Sequence, residues 1–181
     1  MKDEKDLKNL FKSVDTILSK ININEIDPNA PDFDNLPDGY YLCEVVKIEL
    51  TTSKSGNPQV KAQFKSIENG KEVSIDEEGE ATFNELEKTK DKMLFKYFPL
   101  TDENSMKKFI KDMLKFEGDE VGVPLLEKEY FLNSEVLEEA LDVLEGSTIY
   151  IQISTSKNRN GESSTWYNLV SWSRATVLGL E

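Results

Sequence analysis

Histidine is absent from this chain of 181 residues, and cysteine occurs once, at Cys43. Those shortages together exclude disulfides within the chain, Cys/His zinc sites, Ser-His-Asp triads and Cys-His dyads. Long apolar runs are also missing: nothing approaches the ~20 residues that span a bilayer. The opening Met1-Lys2-Asp3-Glu4-Lys5-Asp6 is charged and leads into no uninterrupted apolar stretch, so no secretory signal is expected. These features predict a cytoplasmic protein without a membrane segment. Positive charge is scarce as well, with 22 Lys and Arg against 35 Asp and Glu and a formal net charge of −13. At face value that argues against nucleic acid, since affinity for phosphates comes largely from cations that release counterions.

What is present is 38% apolar and 31% charged, the composition of a folded domain with a real core. The acid is uneven. Residues 71–91 hold eight acidic and three basic residues, and residues 117–145 hold ten acidic and one basic. Together these stretches carry more than the whole negative excess, so a locally basic groove is compatible with the composition.

Leu7, Leu10, Phe11, Val14, Ile17, Leu18 and Ile21 form one stripe at helical spacing, which predicts an amphipathic helix over 6–21. Such a helix lies on the rest of the molecule, pairs with a second copy or docks a partner. Residues 22–39 read as a linker closed by the turn Pro37-Asp38-Gly39. Its Asp27, Asn29, Asp32 and Asp34 lack the glycine and terminal glutamate of a calcium loop, so they are read as turn-formers. No metal or cofactor is expected.

Gly39 to Leu50 alternates as a strand. Tyr41, Cys43 and Val45 point one way, then Ile48 and Leu50 resume after a one-residue slip, the mark of a β-bulge. Val60, Ala62 and Phe64 alternate with Gln59, Lys61, Gln63 and Lys65 in a second strand. Lys92 to Leu100 is a third, with Met93, Phe95 and Tyr97 on one side. Two helices follow: one through Met106, Phe109, Ile110, Met113 and Leu114, capped by Asp102 or Ser105, and one over 135–145, capped by Ser134 and stopped by Gly146. Ser147 to Ser154 and Thr165 to Trp172 complete the strands. The expected fold is therefore mainly β with helical elaborations: a five-stranded OB-fold barrel, an N-terminal amphipathic helix and a two-helix insertion between strands three and four. The boundaries are 1–36 for the helix and linker and 37–175 for the barrel domain, with the insertion at about 101–146.

Two loops share one composition: Thr51-Thr52-Ser53-Lys54-Ser55-Gly56-Asn57-Pro58 and Ser154-Thr155-Ser156-Lys157-Asn158-Arg159-Asn160-Gly161-Glu162. Both are Ser/Thr-rich, basic and glycine-turned. Together with Pro37-Asp38-Gly39-Tyr40-Tyr41, Tyr97-Phe98-Pro99-Leu100-Thr101, Gly146 and Tyr167-Asn168, they make residues 37–172 resemble the phage-encoded single-stranded DNA-binding proteins of the OB-fold type. The resemblance implies sequence-tolerant binding of single-stranded DNA in phage replication or recombination, with replication or recombination proteins as partners. Such proteins often end in an acidic tail, whereas this sequence closes with Thr176-Val177-Leu178-Gly179-Leu180-Glu181. The acidic helical insertion also looks enlarged.

Binding of this kind needs a cationic track for phosphates and aromatic faces for bases. The candidate track is Lys54, Lys61 and Lys65 with Lys157 and Arg159, extended by Lys47 and Lys96. Tyr97, Tyr150 and Trp166 are the leading platforms, and Tyr40, Phe95 and Trp172 are further ring candidates. Asn57 is a candidate for contacts to base edges or sugars, as are Gln59, Gln63 and Asn158. The loops are expected to converge on one cleft. Lysines on an outer strand face commonly do no more than solvate it, and strand aromatics are more often core. Dimerisation through the N-terminal helix or the 106–145 insertion would lengthen a short site. An enzyme is not expected, because no GxxxxGK[ST] loop or recognisable carboxylate–lysine spacing occurs. The principal alternative is an acidic inhibitor that mimics nucleic acid and occupies the cationic channel of a host nuclease or defence effector.

Overall fold

A computed structural model describes residues 4–21, 23–25 and 36–180. The chain divides into two compact units, Met1–Asn35 and Leu36–Glu181. In the first, α1 runs Glu4–Leu18 and a short 3-10 turn follows at Ile23–Glu25. Phe11, Val14, Ile17 and Leu18 are exposed along α1. The side chains of Leu7 and Leu10, and the linker carboxylates Asp27, Asp32 and Asp34 with Asn29, lie outside the described residues. No described helix is long and apolar enough to cross a membrane.

The second unit is mainly β. Among the described residues, seven strands form one antiparallel, open sheet: β1 Gly39–Thr52, β2 Pro58–Ser66, β3 Gly70–Ile75, β4 Ala81–Leu86, β5 Met93–Pro99, β6 Thr148–Lys157 and β7 Ser163–Val170. The ladders run β7-β6-β1-β2-β5, and the β3–β4 hairpin joins β1 through Tyr40 and Lys71. The five expected strands are all present, and the hairpin is additional.

The slip in β1 is a bulge between Val45 and Lys47. Tyr41, Cys43, Val45 and Ile48 are buried while Val46 and Lys47 are exposed. A bulge sharpens twist and lets one long strand serve two partners: β6 pairs with residues 39–44 and β2 with residues 43–52. Inward residues of β1, β2, β5 and β6 build the main core with Phe109, Met113, Leu137, Leu141 and Leu144. Each large apolar side chain buried there contributes about 1.5–3 kcal/mol.

The insertion between β5 and β6 holds α2 (Glu103–Met113), a 3-10 turn (Lys128–Phe131) and α3 (Ser134–Leu144). Asp102 caps α2, and Ser105 returns a hydrogen bond to the Asp102 backbone, so the two expected capping candidates act as one capping box. For α3 the cap is Asn133, one residue earlier than expected, because its amide oxygen accepts from Val136 N at 3.0 Å.

The last expected strand lies two residues earlier than read, at Ser163–Val170 rather than Thr165 to Trp172, and Trp172 opens a further helix, α4 (Trp172–Leu178). Ser171 caps it and Gly179 ends it in the left-handed conformation (φ 78°). This helix builds a second cluster of Tyr150, Val170, Ala175 and Leu180, flanked by Leu42, Val73, Phe83 and Trp172. Glu117 in the insertion accepts from Ser173 N at 3.0 Å and from its hydroxyl, tying the insertion to α4.

Candidate nucleic-acid interface

Directly paired residues of an antiparallel ladder share a face, so register defines the outward surface of the central strands. Lys61 lies opposite Tyr97 and Glu49, Gln63 opposite Phe95 and Lys47, and Lys65 opposite Met93. The inward partners, Val60 with Phe98 and Phe64 with Leu94, are buried. The sequence periodicity thus turns amides, cations and rings to the same outer side. Phe95 is 44% exposed and Tyr97 53%.

Trp166 joins them from β7 at 58% exposure, its indole N–H donating to Ser156 Oγ at 3.2 Å. It lines one cavity of about 380 Å3 with Lys96, Tyr97 and the start of α2. Between β5 and β7 the link is Lys96, whose ammonium donates to Tyr167 O at 2.6 Å and sits 5.1 Å from the Phe98 ring centroid. Burial pushes the Lys96 pKa down, partly offset by the Asp112 charge. Lys96 is therefore a clasp between strands rather than part of an open track, a correction to the expected extension.

The remaining cations differ in how free they are. Lys61 Nζ lies 5.5 Å from the Phe95 centroid, a cation–π contact to a ring that stays partly exposed. Lys65 pairs with Asp91 at 3.2 Å, and Lys47 with Glu49 at 2.8 Å. The hydrogen bond from Lys47 holds the Glu49 carboxyl below its ordinary range. Glu44 lies opposite Lys65 on the same face, so three ammoniums meet three carboxylates there and the strand face carries no net charge.

In the β1–β2 loop, Ser53 N donates to Asn57 O at 2.8 Å and Gly56 N to Ser53 O at 2.9 Å. Asn57 is exposed and its amide donates to Ser55 Oγ at 3.3 Å. In the β6–β7 loop, Asn158 Oδ1 accepts from Asn160 N and Glu162 N, both at 2.9 Å. Each loop is shaped by its own polar side chains, leaving Lys54, Lys157 and Arg159 exposed, with no ion pair to them among the described residues.

Two expectations are corrected. Tyr150 is 2% exposed, packed edge-on against Trp172 with centroids 5.2 Å apart, so it offers no platform. It does point away from the isoleucines, but α4 covers that side. The loops also do not converge through β1. One follows Thr52; the other extends beyond the opposite end, because Gly39 pairs with Ile153 and the β6–β7 ladder runs on to Lys157. Trp172 is half-buried and donates to Thr148 O at 3.1 Å, and Tyr40 is likewise half-buried.

Sequence reasoning missed the cavity beside Tyr97 and Trp166, whose far wall is Asp102, Lys108 and Asp112. The only sequence signal was Asp102 as a helix cap. Comparison with models of known families and with curated proteins gave no match.

Proposed function

We propose that the outward face of β2 and β5, with Trp166 of β7, binds single-stranded DNA without reading much of its sequence. On this reading β1, β2, β5, β6 and β7 are the five strands of an OB-type barrel, and the protein serves phage replication or recombination beside proteins of that machinery in the host cytoplasm. The observation that carries the proposal is the placement of two exposed rings, Tyr97 and Trp166, on one cavity next to a strand bearing Lys61 and Lys65. Bases stack on such rings whatever their identity, at about 1–3 kcal/mol each, while ammoniums follow the phosphates. Lys54, Asn57, Lys157 and Arg159 would extend contacts from the two ends of β1.

The test is titration of the full chain with labelled oligo-dT at low and moderate salt. Saturable binding that weakens with salt and quenches Trp166 fluorescence is expected. Trp166→Phe should remove most of the quench, because half-buried Trp172 is the other indole. Tyr97→Ala should weaken binding roughly tenfold.

The acidic-mimic reading has its own support. Asp76, Glu77, Glu78 and Glu80 are exposed at the β3–β4 turn, as are Glu135, Glu138, Glu139 and Asp142 on α3. Absence of oligonucleotide binding at low salt, combined with inhibition of a nucleic-acid-processing enzyme, would replace the first reading with this one.

A further inference from the structure

The cavity beside Tyr97 and Trp166 is unlike the rest of the proposed interface. Its volume, about 380 Å3, is within the range of small-ligand sites. Two exposed aromatic residues stand on one side. The charged side chains of the whole lining wall are balanced, Lys96 and Lys108 against Asp102 and Asp112. A phosphate seeks a cationic excess, which this wall does not offer; a flat neutral group bearing hydrogen-bond donors does fit it.

The carboxylates are held in place by bonds that leave acceptor capacity. Asp102 Oδ1 accepts Ser105 N at 2.7 Å as the cap of α2, and that backbone bond, the largest of several influences, keeps its carboxyl below the ordinary range. Asp112 Oδ1 accepts Lys115 Nζ at 2.7 Å. An ionised carboxylate has about four acceptor sites, so both retain lone pairs.

We infer that this cavity is a base pocket: it takes a single nucleobase out of the bound strand and favours bases with an exocyclic amino group. Cytosine presents an amino donor where thymine presents a carbonyl acceptor, and carboxylates accept from the former and repel the latter. The inference rests on the proposed single-strand binding and adds a composition preference to an otherwise tolerant surface.

The experiment uses the full chain at neutral pH with three oligomers of equal length: oligo-dC, oligo-dT, and oligo-dC with 2-pyrimidinone, which lacks the amino group, in place of cytosine. Oligo-dC should bind about fivefold or more tighter than oligo-dT, and the 2-pyrimidinone oligomer should lose that advantage. Asp112→Asn, whose amide donates as well as accepts, should narrow the dC/dT ratio from both sides. Asp102→Asn, which retains a good helix cap, should narrow it independently should the other variant fold poorly. Equal, saturable binding of oligo-dC and oligo-dT overturns the base pocket and leaves single-strand binding standing. A preference that survives both the missing amino group and the two Asn variants also overturns it. Failure to bind either oligomer overturns the pocket and the proposed function together.

Discussion

Gly70→Ala isolates a single steric contact on which the fold depends. Gly70 opens β3, and a Cβ there would stand 2.3 Å from Cε1 of Tyr41, 2.6 Å from Cδ1 and 2.8 Å from Cζ. The ring cannot easily yield. Tyr41 is fully buried and its hydroxyl donates to Pro37 O at 2.6 Å, while Gly70 N is held by Thr89 Oγ1 at 2.8 Å. Overpacking of a tight core costs about 1–3 kcal/mol. Swinging the ring aside instead would forfeit its hydrogen bond, worth about 1 kcal/mol. A loss of about 3 kcal/mol should lower Tm by roughly 6–12 °C for a chain of this size. Thermal and urea denaturation of Gly70→Ala beside Gly118→Ala would measure it. At Gly118 the added methyl meets only Leu125 Cδ1, at an ordinary 3.6 Å. A Gly70→Ala loss no larger than the Gly118→Ala loss would refute the claim that the Tyr41 ring requires a glycine.

Thr89→Val should cost about 1–3 kcal/mol in urea denaturation, since the buried Thr89 hydroxyl accepts Gly70 N and donates to Leu86 O at 2.6 Å, and valine leaves the buried amide without that acceptor. Burial pushes the Cys43 thiol up to about 12, so thiol reagents should label it at neutral pH only as fast as the protein opens. Burial favours the neutral thiol over the thiolate. The stability gained by keeping the thiol protonated is therefore complete below its ordinary value of 9.0 and is lost as pH rises from there through about 12. Parallel denaturation of wild type and Cys43→Ala across that range should show a steeper alkaline loss in the wild type.

The bulge in β1 was legible because an inserted residue is the simplest cause of a break in a period-two pattern, and Ile48 and Leu50 resumed that pattern one residue late. The outer face of β2 and β5 was legible because its alternation is unbroken. Tyr150 was not, because alternation assigns a face without saying what lies over it. Its cover, α4, is seven residues long, and only its first residue, Trp172, was assigned to an element, as the end of the last strand. Ser171 ahead of it and Gly179 behind it were the usable signals. The β3–β4 hairpin was hidden because neither face is continuously apolar: only Val73, Phe83 and Leu86 have partial cover in those strands beyond Gly70 and Lys71. Asp76 and Gly79 marked its turn, Asp76 Oδ1 accepting from Glu78 N and Glu80 N. The Tyr97–Trp166 cavity joins positions far apart in the chain and needed the spatial arrangement.

The surplus of acid poses the hardest question for a nucleic-acid reading, and its location bears on the answer. Charges separated by more than about 10 Å are largely screened at 0.1 M salt, so a phosphate on the β2–β5 face responds chiefly to neighbours on that face. There Glu49 and Asp91 are paired with Lys47 and Lys65, and Glu44 lies opposite Lys65, so the face offers Lys61 without net positive charge and the loop cations become the main groups able to exchange counterions for phosphate. A strand engaging Lys65 must displace Asp91, which weakens that contact and makes it the easiest to lose. Binding on the proposed reading therefore leans more on rings than on charge. That is consistent with a face whose exposed aromatic residues, Phe95, Tyr97 and Trp166, are as prominent as its free ammoniums. The carboxylates of the β3–β4 turn and α3 would then act at longer range, opposing weak, undirected adhesion to polyanions while leaving stacked complexes intact.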